Sequence, residues 1–172
     1  MNGLQIVALA LQLVSTALAN PWGGDGQCVQ LRSVFTDMDL ISSDYTHDAD
    51  RRHVVVHMTK NQNWVIIPDE RYRGYYKLKH YRLGEVLFES VQSWNGNYIF
   101  TWIPKRIIND GGASWNITWV SHGVYFLKNK KFGHCLWTKG AEDWVGAYGG
   151  CDHEEYQWKI RKLPCGVGES RK

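Results

Sequence analysis

Proline is scarce in the sequence, and so is alanine after residue 19. Only four prolines occur in 172 residues, and the four alanines beyond residue 19 are Ala49, Ala113, Ala141 and Ala147. So little proline leaves no proline-rich linker to divide the chain, and so little alanine leaves little intrinsic preference for helix. No segment shows convincing 3.6-residue hydrophobic periodicity either. These absences exclude a helical bundle and favour a single domain.

The first 19 residues contain no Asp, Glu, Lys or Arg. An apolar run extends from Leu4 to Leu18 and ends in Ala17-Leu18-Ala19. Such a run before small residues is typical of a secretory signal peptide and is too short to span a bilayer. We therefore expect a signal peptide at 1–19, a secreted protein without membrane insertion, and one mature domain at 20–172.

The charge and the cysteines exclude two further classes of protein. The net charge is only +3, too small to indicate a nucleic-acid-binding protein. The four cysteines, Cys28, Cys135, Cys151 and Cys165, include no C-x2-C pair, so a zinc site is not indicated. An even number of cysteines in an oxidising compartment predicts two disulfides, with three possible pairings.

Motifs of catalysis are also missing. The sequence has no G-x-S-x-G and no phosphate loop. His53 and His57 flank three valines in a sequence typical of a strand, where their Cα atoms would lie about 13 Å apart and could not share one metal ion. We expect no enzymatic activity, no metal and no cofactor.

Aromatic residues and glycine are abundant where alanine is not. All 9 Trp, 9 Tyr and 5 Phe follow residue 19, as do 16 of the 17 glycines. This composition favours strands. Three segments also repeat with periods of 47 and 49 residues. Each segment begins with Leu and a basic residue and has a turn former six residues after that Leu. A second Leu and a large apolar residue follow nine and ten residues after the first Leu. The first leucines are Leu31, Leu78 and Leu127.

Each repeat predicts two strands around a turn at Asp37, Gly84 or Gly133, followed by two further strands. The fold class is therefore all-β, with three pseudo-repeats of four short strands at about 28–74, 75–123 and 124–165. Three tryptophans occupy repeated positions in the predicted fourth strands, and we expect them in the core: Trp64, Trp119 and Trp158.

The last repeat resembles the ricin-B type of lectin repeat. The similar residues are Gly133-His134-Cys135-Leu136-Trp137, Tyr148-Gly149-Gly150-Cys151 and Tyr156-Gln157-Trp158-Lys159-Ile160. A literal Q-x-W occurs in the first unit, at Gln62-Asn63-Trp64. The three units together resemble a β-trefoil.

The whole mature chain, with its leader, four cysteines and many tryptophans, resembles the cysteine- and tryptophan-rich salivary proteins of Culex mosquitoes. This resemblance implies a β-trefoil secreted in saliva that binds carbohydrate. The implied partners are host glycans or glycoproteins, and we expect a monomer.

Aromatic and polar side chains are the candidates for carbohydrate binding, because aromatic rings stack on sugar faces. Ricin-B repeats carry a sugar-binding Asp where this chain has Ile41, Phe88 and Trp137. Other side chains must replace it, and Asp44 and Glu89 are two nearby polar residues. The candidates are concentrated in the third unit, with two from the second: Trp144, Tyr148, Asp152, Glu155, Trp94 and Asn97.

The stretch Arg71 to Arg82 holds five Lys or Arg, four Tyr and no acid. One interpretation is a solvated strand face, and the other is a groove for sulfated or sialylated glycans. The candidate residues of this groove are Lys77, Lys79, Arg82, Lys128 and Lys130.

An alternative function is protease inhibition or sequestration of a host factor in haemostasis or inflammation. Trefoils also serve as protease inhibitors with one exposed loop, and the segment Lys105 to Gly112 offers a basic residue for a trypsin-like pocket. Asn116-Ile117-Thr118 is the only N-glycosylation sequon, within a predicted strand.

The β-trefoil also predicts the disulfide map. A closed barrel of three units brings its first and last strands side by side, which predicts Cys28–Cys165. A hairpin within the third unit predicts Cys135–Cys151.

Overall fold

In the computed structural model of the chain, the described residues are 21–93, 97–140 and 144–168. The predicted signal peptide at 1–19 and Trp94 lie outside them. The described residues form twelve strands and one short 3-10 helix, Glu154–Tyr156, so the all-β prediction is confirmed. The strands are β1 (Gln27–Ser33), β2 (Asp39–Thr46), β3 (Arg51–His57), β4 (Trp64–Pro68), β5 (Tyr76–His80), β6 (Val86–Ser93), β7 (Asn97–Trp102), β8 (Trp115–Ser121), β9 (Val124–Asn129), β10 (Cys135–Trp137), β11 (Gly146–Tyr148) and β12 (Gln157–Lys162).

Six of the strands close into a ring by antiparallel pairing. β1 pairs with β4 and β12, β12 with β9, β9 with β8, β8 with β5, and β5 with β4. The other six form the hairpins β2–β3, β6–β7 and β10–β11. Because β7 also pairs with β3 and β11, the three hairpins meet. The first and fourth strand of each set of four therefore lie in the ring, and the second and third in a hairpin.

The predicted turn formers lie in equivalent turns. Asp37, Gly84 and Gly133 have φ of 54°, 69° and 71°, a left-handed conformation that glycine adopts freely and Asp tolerates. The amide of each donates a hydrogen bond of 2.9–3.1 Å to the carbonyl oxygen four residues earlier, on Ser33, His80 and Asn129.

Three tryptophans fill the centre of the core at the start of the fourth strands or close to it. Trp64, Trp115 and Trp158 are fully buried. The indole Nε1 of each donates to a backbone oxygen of the second strand in its own unit, at 3.0–3.2 Å, so a large apolar ring is buried without an unpaired polar atom. These acceptors belong to the repeated leucines Leu40, Leu87 and Leu136.

The prediction that Trp119 belongs to the core is wrong. Its side chain is 65% exposed, and Trp115 is the buried indole of the second unit. In β8 only the first residue is buried, whereas the residues from Thr118 onward are half-buried or exposed. Trp119 therefore lies on a part of the strand that the core does not cover.

The two disulfides join the predicted pairs of cysteines. Cys28 on β1 is bonded to Cys165 after β12, and Cys135 on β10 is bonded to Cys151 after β11. The first links the two ends of the described domain across the β1–β12 pair. The second holds the segment that follows β11 against the third hairpin. That segment carries the candidate site residues Asp152 and Glu155.

Candidate functional site

The third strands of the three units bring aromatic rings together. Trp144 precedes β11 and is 48% exposed. Its ring stacks on that of His53 from β3, with centroids 3.7 Å apart and planes 14° apart. Tyr98 of β7 meets the Trp144 ring edge-on at 5.7 Å. A half-exposed indole is thus held in a fixed orientation by side chains from two other units.

His53 is the buried ring beneath Trp144 in this stack. Burial, followed by the neighbouring His47 and the charge of Arg51, lowers the pKa of His53 to about 4. Its Nδ1 is buried and has no hydrogen-bond partner. His53 is therefore neutral near pH 7 and supports Trp144 as an uncharged ring.

Tyr148 extends the aromatic surface along β11. Its ring lies 4.7 Å from that of Trp137, and burial followed by the neighbouring Tyr98 raises the pKa of Tyr148. We refer to Trp137, Tyr98, Trp144 and Tyr148 as the aromatic face.

Carboxylates lie beside the aromatic face. Burial, then the charges of Asp152 and Glu155, raise the pKa of Tyr156, whose hydroxyl donates to the Gly149 oxygen at 3.2 Å. Tyr148 also contributes to the raised pKa of Tyr156, so these two tyrosines and the two carboxylates lie near one another. Exposed rings with polar groups at their border are the chemistry that a sugar ring needs.

Asn97 connects the face to a buried carboxylate. Its Nδ2 donates to Oε1 of Glu89 at 2.7 Å, and the same oxygen lies 2.6 Å from Nδ1 of His134. Burial raises the pKa of Glu89, and the other oxygen, Oε2, is buried without a partner. Asn97 is therefore held in place by Glu89 at the start of β7.

The structure brings the predicted residues of the third unit close to one another, but they do not form the site alone. Trp144, Tyr148, Asp152 and Glu155 lie around β11 and the 3-10 helix that follows it. His53 and Tyr98 come from the other two units. The sequence alone indicates neither residue, because only the pairing of β7 with β3 and β11 places them there.

A second candidate site is a pocket of about 600 Å³ beside β5, which we call the cationic pocket. One wall is the connection 103–114 between β7 and β8. Aliphatic side chains line it together with two acidic residues, Asp69 and Glu70, and six basic ones, Arg71, Lys77, Lys79, Arg82, Lys105 and Arg106.

Within this pocket Lys77 is already neutralised. Its Nζ lies 3.0 Å from Oδ2 of Asp69 and donates to the Ile108 oxygen at 3.0 Å. Burial alone would raise the pKa of Asp69, but hydrogen bonds, including those from Ser114 and Lys77, lower it below its usual value. Lys77 therefore anchors the wall of the pocket rather than offering a free charge.

The five lysines and arginines predicted for one groove are separated. Lys79 and Arg82 line the cationic pocket with Lys77, whereas Lys128 and Lys130 are not among its lining residues. The Nζ of Lys130 lies over the ring of Tyr72, 5.5 Å from its centroid. The connection 103–114 supplies the further cations Lys105 and Arg106 instead.

The predicted N-glycosylation sequon lies within a strand. Asn116 lies on β8, where its Nδ2 donates to the Gly74 oxygen at 3.2 Å and its Oδ1 accepts from the Thr118 hydroxyl at 2.6 Å. Its side chain is half-buried, as its position in a strand predicts.

Among the described residues, no group of three His, Cys, Asp or Glu could hold a metal ion, and no helix is long and apolar enough to cross a membrane.

Comparison with known proteins identifies the family. No family model and no curated protein matches the chain. A solved salivary protein from Culex quinquefasciatus, of the Cysteine and Tryptophan-Rich (CWRC) family, is 44% identical, with a TM-score of 0.75 over 83% of this chain and 97% of that one. The chain belongs to the CWRC family. The resemblance predicted from the tryptophan and cysteine pattern is thus confirmed at the level of the family.

More distant structures share the fold with this CWRC chain but differ in function. A Polyporus squamosus lectin, bound to Neu5Acα2-6Galβ1-4GlcNAc, is 16% identical with a TM-score of 0.64 over 82% of this chain and 50% of that one. A proteinase inhibitor from Coprinopsis cinerea is 12% identical with a TM-score of 0.61 over 80% and 98%. Since a lectin and an inhibitor both match, the fold alone does not select a function.

Proposed function

We propose that this CWRC protein is a secreted carbohydrate-binding protein of the β-trefoil fold, acting on host glycans without enzymatic activity. The ring of six strands and the three hairpins support the trefoil and its three units. Two disulfides and the salivary CWRC relative support secretion. The glycan site is the aromatic face.

One observation carries this proposal: the Trp144 ring is half exposed and stacked on His53. An indole fixed in this way offers a flat apolar surface at little cost in side-chain entropy. Tyr98 and Tyr148 add rings beside it. Asp152 and Glu155, which follow β11 in the chain, are the proposed hydrogen-bond acceptors for sugar hydroxyls.

A glycan array with two matched variants tests the proposal. Trp144→Ala removes the stacked ring, and we expect array signals to fall at least tenfold. Trp119→Ala removes an exposed indole from β8 and should leave the signals unchanged. Equal signals for wild type, Trp144→Ala and Trp119→Ala would contradict the assignment of the site.

Protease inhibition is the second candidate, because residues 105–107 of the connection 103–114 are exposed. Arg106 is exposed and Ile107 is 74% exposed, as expected for a segment that inserts into a protease. Inhibition of trypsin that is lost in Arg106→Ala would support this function. Such a result would be independent of Trp144.

A further inference from the structure

The three units present a basic residue at the same position, and the first unit shows how it is neutralised. Arg32, Lys79 and Lys128 each follow the first leucine of a repeat and pair in the sheet with Asp39, Val86 and Cys135, respectively. In the first unit Asp39 binds Arg32 through two hydrogen bonds, at 2.9 and 3.0 Å. Asp37 lies 3.7 Å from the same guanidinium.

The second unit keeps the cation and lacks both carboxylates. Gly84 stands at the position of Asp37, and Val86 at that of Asp39. A Cβ on Gly84 would meet Cε of Lys79 at 3.6 Å and Cδ and Cε of Lys105 at 3.7 Å, so two lysine stems converge there. Among the described residues, neither lysine has a carboxylate within the 4.0 Å of an ion pair. The stems of two lysines thus converge on Gly84 without an ion-pair partner among those residues for either.

The connection 103–114 turns this arrangement into a pocket. In the first unit the corresponding connection, 58–63, is half as long. Lys105 has a φ of 58°, a left-handed conformation that is unfavourable for a lysine. The aliphatic stem of this strained residue lies against Gly84, while the residue as a whole is exposed to solvent. Strain of this kind is concentrated at ligand-binding sites.

We propose that the cationic pocket binds an amphiphilic organic anion: a carboxylate on an aliphatic chain, of the fatty-acid type. Its carboxylate takes the place of the missing aspartates, between Lys79 and Lys105, where charge-assisted hydrogen bonds are strong. Its chain lies along Ile67, Val86 and Ile108. The volume of about 600 Å³ falls within the usual range for small-molecule sites.

The lining favours such a ligand over a sulfated or sialylated glycan. None of the described residues that line the pocket is Trp, Tyr or Phe, so no ring can stack on a sugar. The aliphatic side chains instead include Ile107, which is 74% exposed. An alkyl chain that covers Ile107 would remove apolar surface from water.

The test uses two substitutions of Gly84 that differ only in charge. Gly84→Asp restores the aspartate of the first unit beside Lys79 and Lys105, in a conformation that Asp37 adopts at a φ of 54°. Gly84→Asn has the same shape without charge. Isothermal titration with dodecanoate below its micelle concentration should show binding to wild type and Gly84→Asn, and at least tenfold weaker binding to Gly84→Asp. Thermal unfolding verifies that both variants fold.

A second pair of variants and a second ligand complete the test. Lys79→Ala should weaken dodecanoate binding about tenfold, whereas Lys128→Ala, at the equivalent position outside the pocket, should leave it unchanged. Absence of dodecanoate binding, or equal binding by Gly84→Asp and Gly84→Asn, would overturn the proposal. Binding of a heparin-derived sulfated disaccharide in place of dodecanoate would overturn it in favour of an anionic glycan. Because Trp144→Ala leaves this pocket intact, failure here is distinguishable from failure of the aromatic face.

Discussion

His53 lies beneath Trp144, with ring centroids 3.7 Å apart and planes 14° apart, so a buried histidine from β3 supports a half-exposed indole that precedes β11. The two residues are 91 positions apart in the sequence. Their contact makes the orientation of the surface indole depend on the packing between units.

The burial of His53 predicts a pH dependence of stability. In the unfolded chain His53 binds a proton below about pH 6.5, whereas its folded-state pKa is lowered to about 4. The unfolded state therefore binds more protons between these values, and the free energy of unfolding falls as the pH falls. The shift corresponds to roughly 3 kcal/mol.

Chemical denaturation of wild type and His53→Phe at several pH values between about 7 and 4 measures this loss. Phenylalanine keeps a ring under Trp144 and cannot be protonated. The loss of stability should therefore be smaller in His53→Phe by roughly the same amount. Parallel curves for the two proteins would contradict the burial of a neutral His53.

The tryptophans of β8 should differ sharply in their effect on stability. Trp115→Ala removes a buried ring and its hydrogen bond to the Leu87 oxygen, and should lower the free energy of unfolding by about 3–5 kcal/mol. Trp119→Ala removes a ring that is 65% exposed and should change it by less than about 0.5 kcal/mol. Urea denaturation of both variants checks this, and similar losses would contradict the placement of Trp119.

The disulfides should stabilise the protein unequally. Cys28 and Cys165 are 137 residues apart, and Cys135 and Cys151 are 16 apart. In the chain-entropy model the longer loop contributes about 4–5 kcal/mol and the shorter about 3 kcal/mol. Denaturation of the two double Cys→Ser variants compares them, with non-reducing peptide mapping of the wild type as control. A peptide that joins Cys28 to Cys135 or Cys151 would contradict the fold.

Glu89 predicts a pH dependence of the opposite sign. Burial raises the pKa of Glu89. At a pH above the usual pKa range of a carboxyl group, the folded state therefore binds more protons than the unfolded state. The contribution of Glu89 to stability therefore falls as the pH rises through the raised pKa. Glu89→Gln should gain stability relative to wild type as the pH rises above the usual range of a carboxyl. A constant difference between Glu89→Gln and wild type would contradict this.

Much of the fold could be predicted from local features of the sequence. The three turns at Asp37, Gly84 and Gly133 follow from residues that tolerate a positive φ, and they locate the turn between the first and second strands of each unit. The choice between Trp115 and Trp119 could not be made from alternation, since residues four apart share a face of a strand. Spacing was the better signal. Trp115 lies 51 residues after Trp64 and 43 before Trp158, closer to the leucine periods than Trp119.

The site was less predictable than the fold, because it depends on contacts between units. The aromatic candidates Trp144 and Tyr148 could be identified from composition, but their support by His53 and Tyr98 requires the pairing of the third strands. Likewise the convergence of Lys79 and Lys105 depends on the path of the connection 103–114. Neither relationship leaves a local pattern in the sequence.

The proposed stacking of Trp144 on a sugar ring can be measured by a sugar titration in which ¹H–¹⁵N NMR follows the indole N–H resonances of the tryptophans. Trp144→Phe assigns the Trp144 signal, and galactose, N-acetylglucosamine and a sialylated trisaccharide serve as ligands. We expect a saturable shift of the Trp144 indole signal with at least one of these ligands, whereas the signals of the buried Trp64, Trp115 and Trp158 and of the exposed Trp119 should not shift. A shift of Trp119 without Trp144, or no shift with any of the three ligands, would contradict it.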